Sequence, residues 1–153
     1  MIARCLSDYE IRTITRALRV MERSMTTRDV LMNSPGSVRQ YLSLRLFALP
    51  HEVFMVLMLD SQNRLIEARE MFRGTVSQTA VYPREVVKAA LLANAAGVIL
   101  AHNHPSGVTD ASAADRQLTD ALRQALALVD VRVLDHVIVA GTQCLSFAER
   151  GWV

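Results

Sequence analysis

Two histidines lie two residues apart, directly after a short run of apolar residues. His102 and His104 follow residues 97–101, whose sequence is GVILA. Such a run is typical of a strand that is buried on both faces. Because residues i and i+2 of an extended chain point to the same side, both imidazoles can reach one point. The spacing therefore predicts a pair of ligating groups at the end of a strand, where α/β sheets commonly bind ligands.

A carboxylate follows this pair after a predicted turn. Pro105 and Gly107 favour a reversal of the chain, and a helix is predicted to begin near Ser112. Asp115 would then lie in the first turn of that helix, close to the two imidazoles. Two neutral imidazoles and one carboxylate, with a fourth position open, are the ligand set of a catalytic zinc site.

The residue pattern alone leaves a structural interpretation open. A His-x-His pair also occurs by chance, and Ser112 with Asp115 has the spacing of a helix capping box that needs no metal. His136 lies in a predicted apolar strand and is expected to be a core histidine rather than a further ligand. Asn103 should point away from its two neighbours and form structural hydrogen bonds. The sequence contains no HExxH, CxxC, GxxxxGK[ST], GxGxxG or GxSxG pattern. Their absence argues against zincins, zinc deaminases, nucleotide-binding loops and serine hydrolases.

The elements that must position these residues alternate between helices and strands. Periodicity, capping residues and turn signals predict helices at residues 7–25, 34–47, 83–96 and 112–128, and strands at residues 52–59, 64–72, 97–101 and 131–140. Gly97 is expected to cap the third helix, and Gly141 to begin the turn into a short tail. The order α-α-β-β-α-β-α-β indicates a layered α/β domain with a helical N-terminal extension.

Composition is that of a single globular domain. The chain has 153 residues, of which 51% are hydrophobic and 21% are charged, and this balance excludes intrinsic disorder. No apolar run approaches the roughly 18 residues of a membrane span, so no membrane partner is expected. Two cysteines, Cys5 and Cys144, form no framework, and a reducing cytoplasmic setting fits best. Residues 1–50 contain eight arginines and four acidic residues, which leaves open a weak association of these helices with nucleic acid.

The motifs around the histidine pair resemble those of a known superfamily. His102-x-His104-Pro105, followed by Ser112-x-x-Asp115, resembles the JAMM motif of MPN/JAB-domain zinc metalloproteases. The sequences HNHPSG, PREV, LDH and SFAERGW are similar to the bacterial RadC branch, over about residues 34–153. The resemblance implies a single MPN/JAB-type, cytidine-deaminase-like layered α/β domain with a mixed sheet, preceded by a short helical extension at residues 1–33. Ala111 departs from the proline that the family usually has before the serine, which affects the loop and not a ligand.

The resemblance also implies a role for each site residue. His102, His104 and Asp115 would hold Zn²⁺. Glu52 would be the general base that takes a proton from the zinc-bound water, and Ser112 would stabilise the water or the developing oxyanion. Only the family match selects Glu52, since the residue pattern does not distinguish it from the other acids of this region, Glu67, Glu70 and Glu85.

The function that follows is a zinc-dependent hydrolase of the JAMM metallopeptidase type that attacks a peptide or isopeptide bond. Its partner would be a peptide or protein substrate, and a homodimer is left open. The alternative is a DNA-repair-associated module that binds or processes nucleic acid with the same metal site. An intact Glu52 beside an open metal position favours hydrolysis. The modest net charge of +2 and the aromatic content of 5% argue against direct nucleic-acid binding.

Overall fold

The computed structural model describes residues 6–25, 32–74 and 80–153. Within that part of the chain the helices are α1 Asp8–Met25, α2 Pro35–Leu46, α3 Pro83–Leu92 and α4 Ala113–Ala127. The strands are β1 Val53–Leu59, β2 Leu65–Arg73, β3 Gly97–Asn103, β4 Arg132–Ala140 and β5 Gln143–Ser146. Cys5 and residues 26–31 of the predicted extension lie outside the described residues.

The five strands form one mixed sheet in the order β2-β1-β3-β4-β5. Strand β1 is antiparallel to both β2 and β3, β3 is parallel to β4, and β5 returns antiparallel to β4. The β3–α4–β4 connection brings the N-terminal end of α4 back over the carboxyl end of β3. This return is what places the helix start beside the histidine-bearing strand end.

Helices cover both faces of the sheet, which explains the continuous apolar sequences of its central strands. Every residue of β1 and β3 is buried. One face packs against α2 through a cluster that includes Leu42 and Leu57. The opposite face packs against α3 and α4 through a cluster that includes Leu100 and Leu122. The predicted layered α/β domain with a mixed sheet is therefore confirmed.

The third helix ends earlier than predicted, and the expectation that Gly97 caps it is wrong. Helix α3 stops at Leu92, Ala93 is its C-cap, and Asn94 takes the left-handed conformation with φ 52°. Asparagine tolerates this conformation and can therefore end a helix as glycine does. Gly97 begins β3 instead, because Ala96 already donates its N–H to the Leu59 carbonyl at 2.8 Å across the sheet.

Residues 143–146, which the sequence predicts to be part of a tail, instead form strand β5. Gly141 has φ 59° and turns the chain so that Val137 pairs with Ser146. Asp135 then holds the end of the hairpin: its carboxylate accepts hydrogen bonds from the Ser146 hydroxyl at 2.6 Å and the Ala148 N–H at 2.9 Å. These contacts join residues that are distant in the sequence. A segment of four residues is also too short to show an apolar periodicity, so the sequence does not predict this strand.

Helix α1 forms where its capping box and apolar spacing predict. The Ser7 hydroxyl accepts from the Glu10 N–H at 3.3 Å, and the Glu10 carboxylate accepts from the Ser7 N–H at 2.8 Å. Met21 packs on the α2 side of the core, whereas Ile11, near the start of the helix, is 48% exposed. Among the described residues, no helix is both long and apolar enough to cross a membrane.

Candidate metal centre

Strand β3 brings His102 and His104 together at its carboxyl end. The His102 ring lies on the α3/α4 face of the sheet, stacked against Phe54 of β1 at 6.3 Å between ring centroids. The Nε2 atoms of His102 and His104 are 2.9 Å apart. The predicted convergence of the two imidazoles is thus present, because residues two apart on an extended strand share a face.

The loop after β3 carries the chain back to the same point. Gly107 adopts φ +79°, a conformation that glycine takes without strain, and the chain then enters α4. Asp115, in the first turn of α4, places Oδ1 3.3 Å from His102 Nε2 and Oδ2 3.8 Å from His104 Nε2. The ligand atoms of these three residues all lie within 4.8 Å of one another, a group that can hold a metal ion.

The donor chemistry of the three side chains fits a divalent cation. His104 Nδ1 is 2.7 Å from the Val108 carbonyl oxygen, which accepts hydrogen bonds only. His104 therefore carries its hydrogen on Nδ1 and presents a bare Nε2 to the cluster. Facing that nitrogen are His102 Nε2 and a carboxylate, which also have lone pairs to offer. Imidazole nitrogens and a carboxylate that meet in this way are the ligands that zinc takes in catalytic sites.

The Asp115 carboxyl is ionised in this environment. Burial alone would raise its pKa, but the adjacent His102 imidazole and the hydrogen bonds that the Ser112 hydroxyl and N–H donate hold the pKa of Asp115 well below its usual range. A carboxylate that is already deprotonated binds a cation without first losing a proton. This property suits Asp115 to a ligand role.

The capping box that the sequence offered as an alternative is present at the start of α4. The Ser112 hydroxyl accepts from the Asp115 N–H at 3.1 Å and donates to Asp115 Oδ2 at 2.7 Å, and the Ser112 N–H donates to the same oxygen at 2.7 Å. These hydrogen bonds therefore fix the position of the Asp115 carboxylate in the first turn of α4. Capping and metal binding are compatible here, because Asp115 Oδ1 remains directed at His102.

The register of the sheet predicts that Glu52 lies on its histidine side. Phe54 of β1 pairs with His102 of β3, so the same register carried two residues further puts Glu52 opposite His104. Glu52 is half-buried and does not belong to the group of three metal-ligating side chains. Glu67 and Glu70, two alternatives from the sequence, instead bind Arg69 and Arg73 on β2.

Asn103 holds the backbone on both sides of Glu52. Its Oδ1 accepts from the Val53 N–H at 2.8 Å, and its Nδ2 donates to the His51 carbonyl at 2.9 Å. The side chain points away from those of His102 and His104, as predicted. The residue between the two histidines therefore ties the start of β1 to the end of β3.

Two residues of the site were not recognised in the sequence as part of it. His136 of β4 is fully buried, and its Nε2 lies 2.8 Å from His102 Nδ1. Thr119 of α4 is also buried, with its hydroxyl 2.6 Å from His136 Nδ1. A signal for Thr119 existed, since it lies four residues after Asp115 and thus on the same helix face. His136 had no local signal, because only the pairing of β3 with β4 brings it to His102.

Comparison with known proteins agrees with these features. A family model described as a RadC-like JAB domain matches residues 32–152. A UPF0758 protein of Dechloromonas aromatica is 62% identical over 134 residues, which cover 87% of this chain and 59% of that protein. A UPF0758 protein of Aromatoleum aromaticum is 63% identical over 136 residues, which cover 88% of this chain and 60% of that protein. The chain thus spans about three fifths of the length of these relatives.

Proposed function

The chain belongs to the RadC-like JAB domain family, and from this premise we propose that it is a zinc-dependent hydrolase of the JAMM metallopeptidase type. The observation that carries the proposal is the convergence of His102, His104 and Asp115 at the end of β3. The strand register, carried two residues beyond Phe54, also predicts Glu52 on the same side of the sheet. The proposed substrate is a peptide or protein, and the bond that is cleaved is a peptide or isopeptide bond.

The three ligating side chains would hold Zn²⁺, which as a Lewis acid lowers the pKa of water and polarises a substrate carbonyl. Glu52 would accept the proton of the attacking water and pass it to the leaving amine. Its carboxylate suits this role, since Glu52 is half-buried and is not one of the ligating side chains. Ser112 would supply a hydroxyl donor at the helix start once its hydrogen, which Asp115 Oδ2 accepts here, turns to the developing oxyanion; the α4 dipole also favours negative charge there.

The nucleic-acid alternative draws on the arginines of α1. Arg12, Arg16 and Arg19 are exposed on this helix. Met21 of the same helix packs on the α2 side of the sheet, however, whereas His102 lies on the α3/α4 side. A nucleic acid that followed these arginines would therefore be separated from the metal-ligating group by the sheet. This placement favours a peptide substrate for the site, and we propose that any nucleic-acid association would use a separate surface.

Metal content tests the first part of the proposal. Protein purified without chelator should contain about one zinc per chain, and the His104→Ala variant should retain none, because three protein ligands are the minimum of such a site. Elemental analysis and zinc titration after chelation measure both. Wild-type protein that takes up no zinc in the titration would overturn the proposed function.

Turnover separates the base from the ligands. Glu52→Gln should keep the fold and the zinc but lose hydrolysis, because an amide does not accept the proton of water. Fluorogenic peptide and isopeptide-linked lysine substrates are the probes. Glu70→Gln is the matched control and should retain activity, since Glu70 binds Arg73 and pairs with Met55, which faces α2. Loss of zinc from Glu52→Gln would show that Glu52 is a ligand and that its assignment as base is wrong.

A further inference from the structure

A series of three hydrogen bonds, two of them fully buried, lies behind His102 on the side away from His104. His102 Nδ1 is 2.8 Å from His136 Nε2, and His136 Nδ1 is 2.6 Å from the Thr119 hydroxyl. The Thr119 hydroxyl donates in turn to the Asp115 carbonyl at 2.6 Å. Thr119 is 1% exposed, His136 0% and His102 2%. None of these three side chains can therefore exchange its hydrogen-bond partner for bulk water.

The direction of each hydrogen bond follows from the end of the series. A carbonyl oxygen only accepts, so the single hydrogen of the Thr119 hydroxyl belongs to the Asp115 carbonyl. The hydroxyl oxygen must then accept from His136 Nδ1, which leaves His136 Nε2 bare in the neutral imidazole that full burial favours. His136 Nε2 accordingly accepts from His102 Nδ1. His102 is thereby left with Nε2 as its only ligating nitrogen, and this nitrogen faces His104 and Asp115.

We propose that Thr119 and His136 are positioning residues that fix His102 in the tautomer and ring orientation required to bind the metal ion. The inference rests on the proposed metal site and adds two residues that act on it through His102. A hydrogen bond to the far nitrogen of a ligating histidine sets which nitrogen is free, and its loss commonly costs 10- to 100-fold in metal affinity.

The surroundings of His136 support a fixed ring. Phe147 lies 4.7 Å from it and Phe54 5.8 Å between ring centroids, so aromatic neighbours flank the imidazole. The last hydrogen bond of the series is accepted by the backbone carbonyl of Asp115, whose side chain is the third proposed ligand. Through His136 of β4, Thr119 therefore links the helix turn that supplies the carboxylate to the strand that supplies the first imidazole.

His104 provides an internal comparison. Its Nδ1 binds the Val108 carbonyl, four residues further along the same loop. Its tautomer is therefore set locally and does not involve β4 or Thr119. A change at Thr119 or His136 should disturb His102 and leave the Nδ1 hydrogen bond of His104 intact.

The experiment uses the full chain with Thr119→Val, which removes the hydroxyl at nearly constant volume, and Thr119→Ser, which keeps it. His136→Phe removes both ring nitrogens while retaining an aromatic side chain beside Phe54 and Phe147. Zinc affinity is measured by competition with a chromogenic chelator. Imidazole ¹⁵N NMR shifts report the tautomer of His136 and the Nδ1–H of His104 in metal-free protein, so this reading does not depend on hydrolysis or on zinc uptake.

Wild type and Thr119→Ser should show His136 protonated at Nδ1 and bare at Nε2. Thr119→Val should lose this preference and, like His136→Phe, bind zinc about 10- to 100-fold more weakly, with His104 Nδ1–H unchanged. A wild-type His136 protonated at Nε2 would overturn the proposal, as would unchanged zinc affinity in both Thr119→Val and His136→Phe. Should wild type bind no zinc, the proposed function fails, whereas the His136 tautomer in Thr119→Val and Thr119→Ser still decides the inference.

Discussion

At the scale of single residues, Asp115 serves two local structures at once. One carboxylate oxygen accepts from the Ser112 backbone and hydroxyl, and the other faces His102 at 3.3 Å. A helix cap and a ligand cluster thus share one side chain. Because the cap restrains the carboxylate before any cation binds, less side-chain freedom is lost when the metal ion is taken up.

Replacement of Ser112 distinguishes a cap from a catalytic hydroxyl. Ser112→Ala should lower the free energy of unfolding by about 1 kcal/mol, the typical cost of an N-cap. If the hydroxyl also stabilises the oxyanion, turnover should fall by about 100- to 1000-fold. We expect both effects, measured by urea denaturation and by peptide hydrolysis.

Ser34→Ala is the matched control for this experiment. Ser34 caps α2 by accepting from the Ser37 N–H at 3.1 Å, and α2 lies on the other face of the sheet. The Ser34→Ala variant should show a similar decrease in the free energy of unfolding and should keep the turnover of the wild type. Full turnover in Ser112→Ala would leave capping as the whole role of Ser112.

At the scale of elements, the site depends on how the end of β3 meets its neighbours. His102 lies in β3 and His104 directly after it, α4 supplies the carboxylate, and Glu52 directly precedes β1. Asn103 joins two of these elements, since it bonds the backbone on both sides of Glu52. The position of the proposed base therefore depends on a side chain of the neighbouring strand.

Removal of the Asn103 amide should separate the base from the ligands. In Asn103→Ala the buried N–H of Val53 loses its partner, and such a loss costs about 1–3 kcal/mol in the free energy of unfolding. We expect zinc to be retained, because its ligands lie on β3 and α4, while turnover falls as Glu52 loses its register. Denaturation, zinc analysis and hydrolysis of the same peptide measure the three quantities. Loss of zinc together with turnover would contradict this division of roles.

At the scale of the whole molecule, two helical layers enclose a sheet whose central strands are buried on both faces. The metal-ligating group lies on the α3/α4 side, and its hydrogen-bonded histidines continue into the core as far as β4. Charge within this site is therefore coupled to the stability of the fold. Acid should reveal that coupling in the metal-free protein.

Burial, together with the neighbouring imidazoles of His102 and His104, holds the pKa of His136 well below its ordinary 6.5. As pH falls through 6.5, the unfolded chain therefore takes up a proton at this residue that the folded chain does not. The free energy of unfolding of metal-free protein should accordingly decrease below that pH, by up to about 1.4 kcal/mol per pH unit from this group. Urea denaturation in chelator between about pH 7.5 and pH 4.5 measures the slope.

His136→Phe is the control, because it removes the titrating group and should flatten the slope in this window. Parallel curves for wild type and His136→Phe would show that acid acts through other residues. The comparison uses slopes, so a constant difference in stability between the two proteins does not affect it.

Much of the site follows from the sequence, because its main features are local. The i, i+2 spacing of His102 and His104 puts both rings on one face of any extended strand. The Ser112–Asp115 spacing sets a capping box at any helix start. Most helices and strands were also predicted near their observed bounds, since apolar periodicity and capping depend on neighbours within a few residues.

Only the tertiary structure decided the contacts that join distant segments. His136 reaches His102 because β3 pairs in parallel with β4, 34 residues further along the chain. The early end of α3 and the presence of β5 depend likewise on sheet contacts made by Ala96 and Asp135. Periodicity records which face a residue takes within its own element, but not which element lies opposite. Strand order and packing determine which elements lie opposite each other. In this protein they place the buried His136 next to His102 of the metal-ligating group.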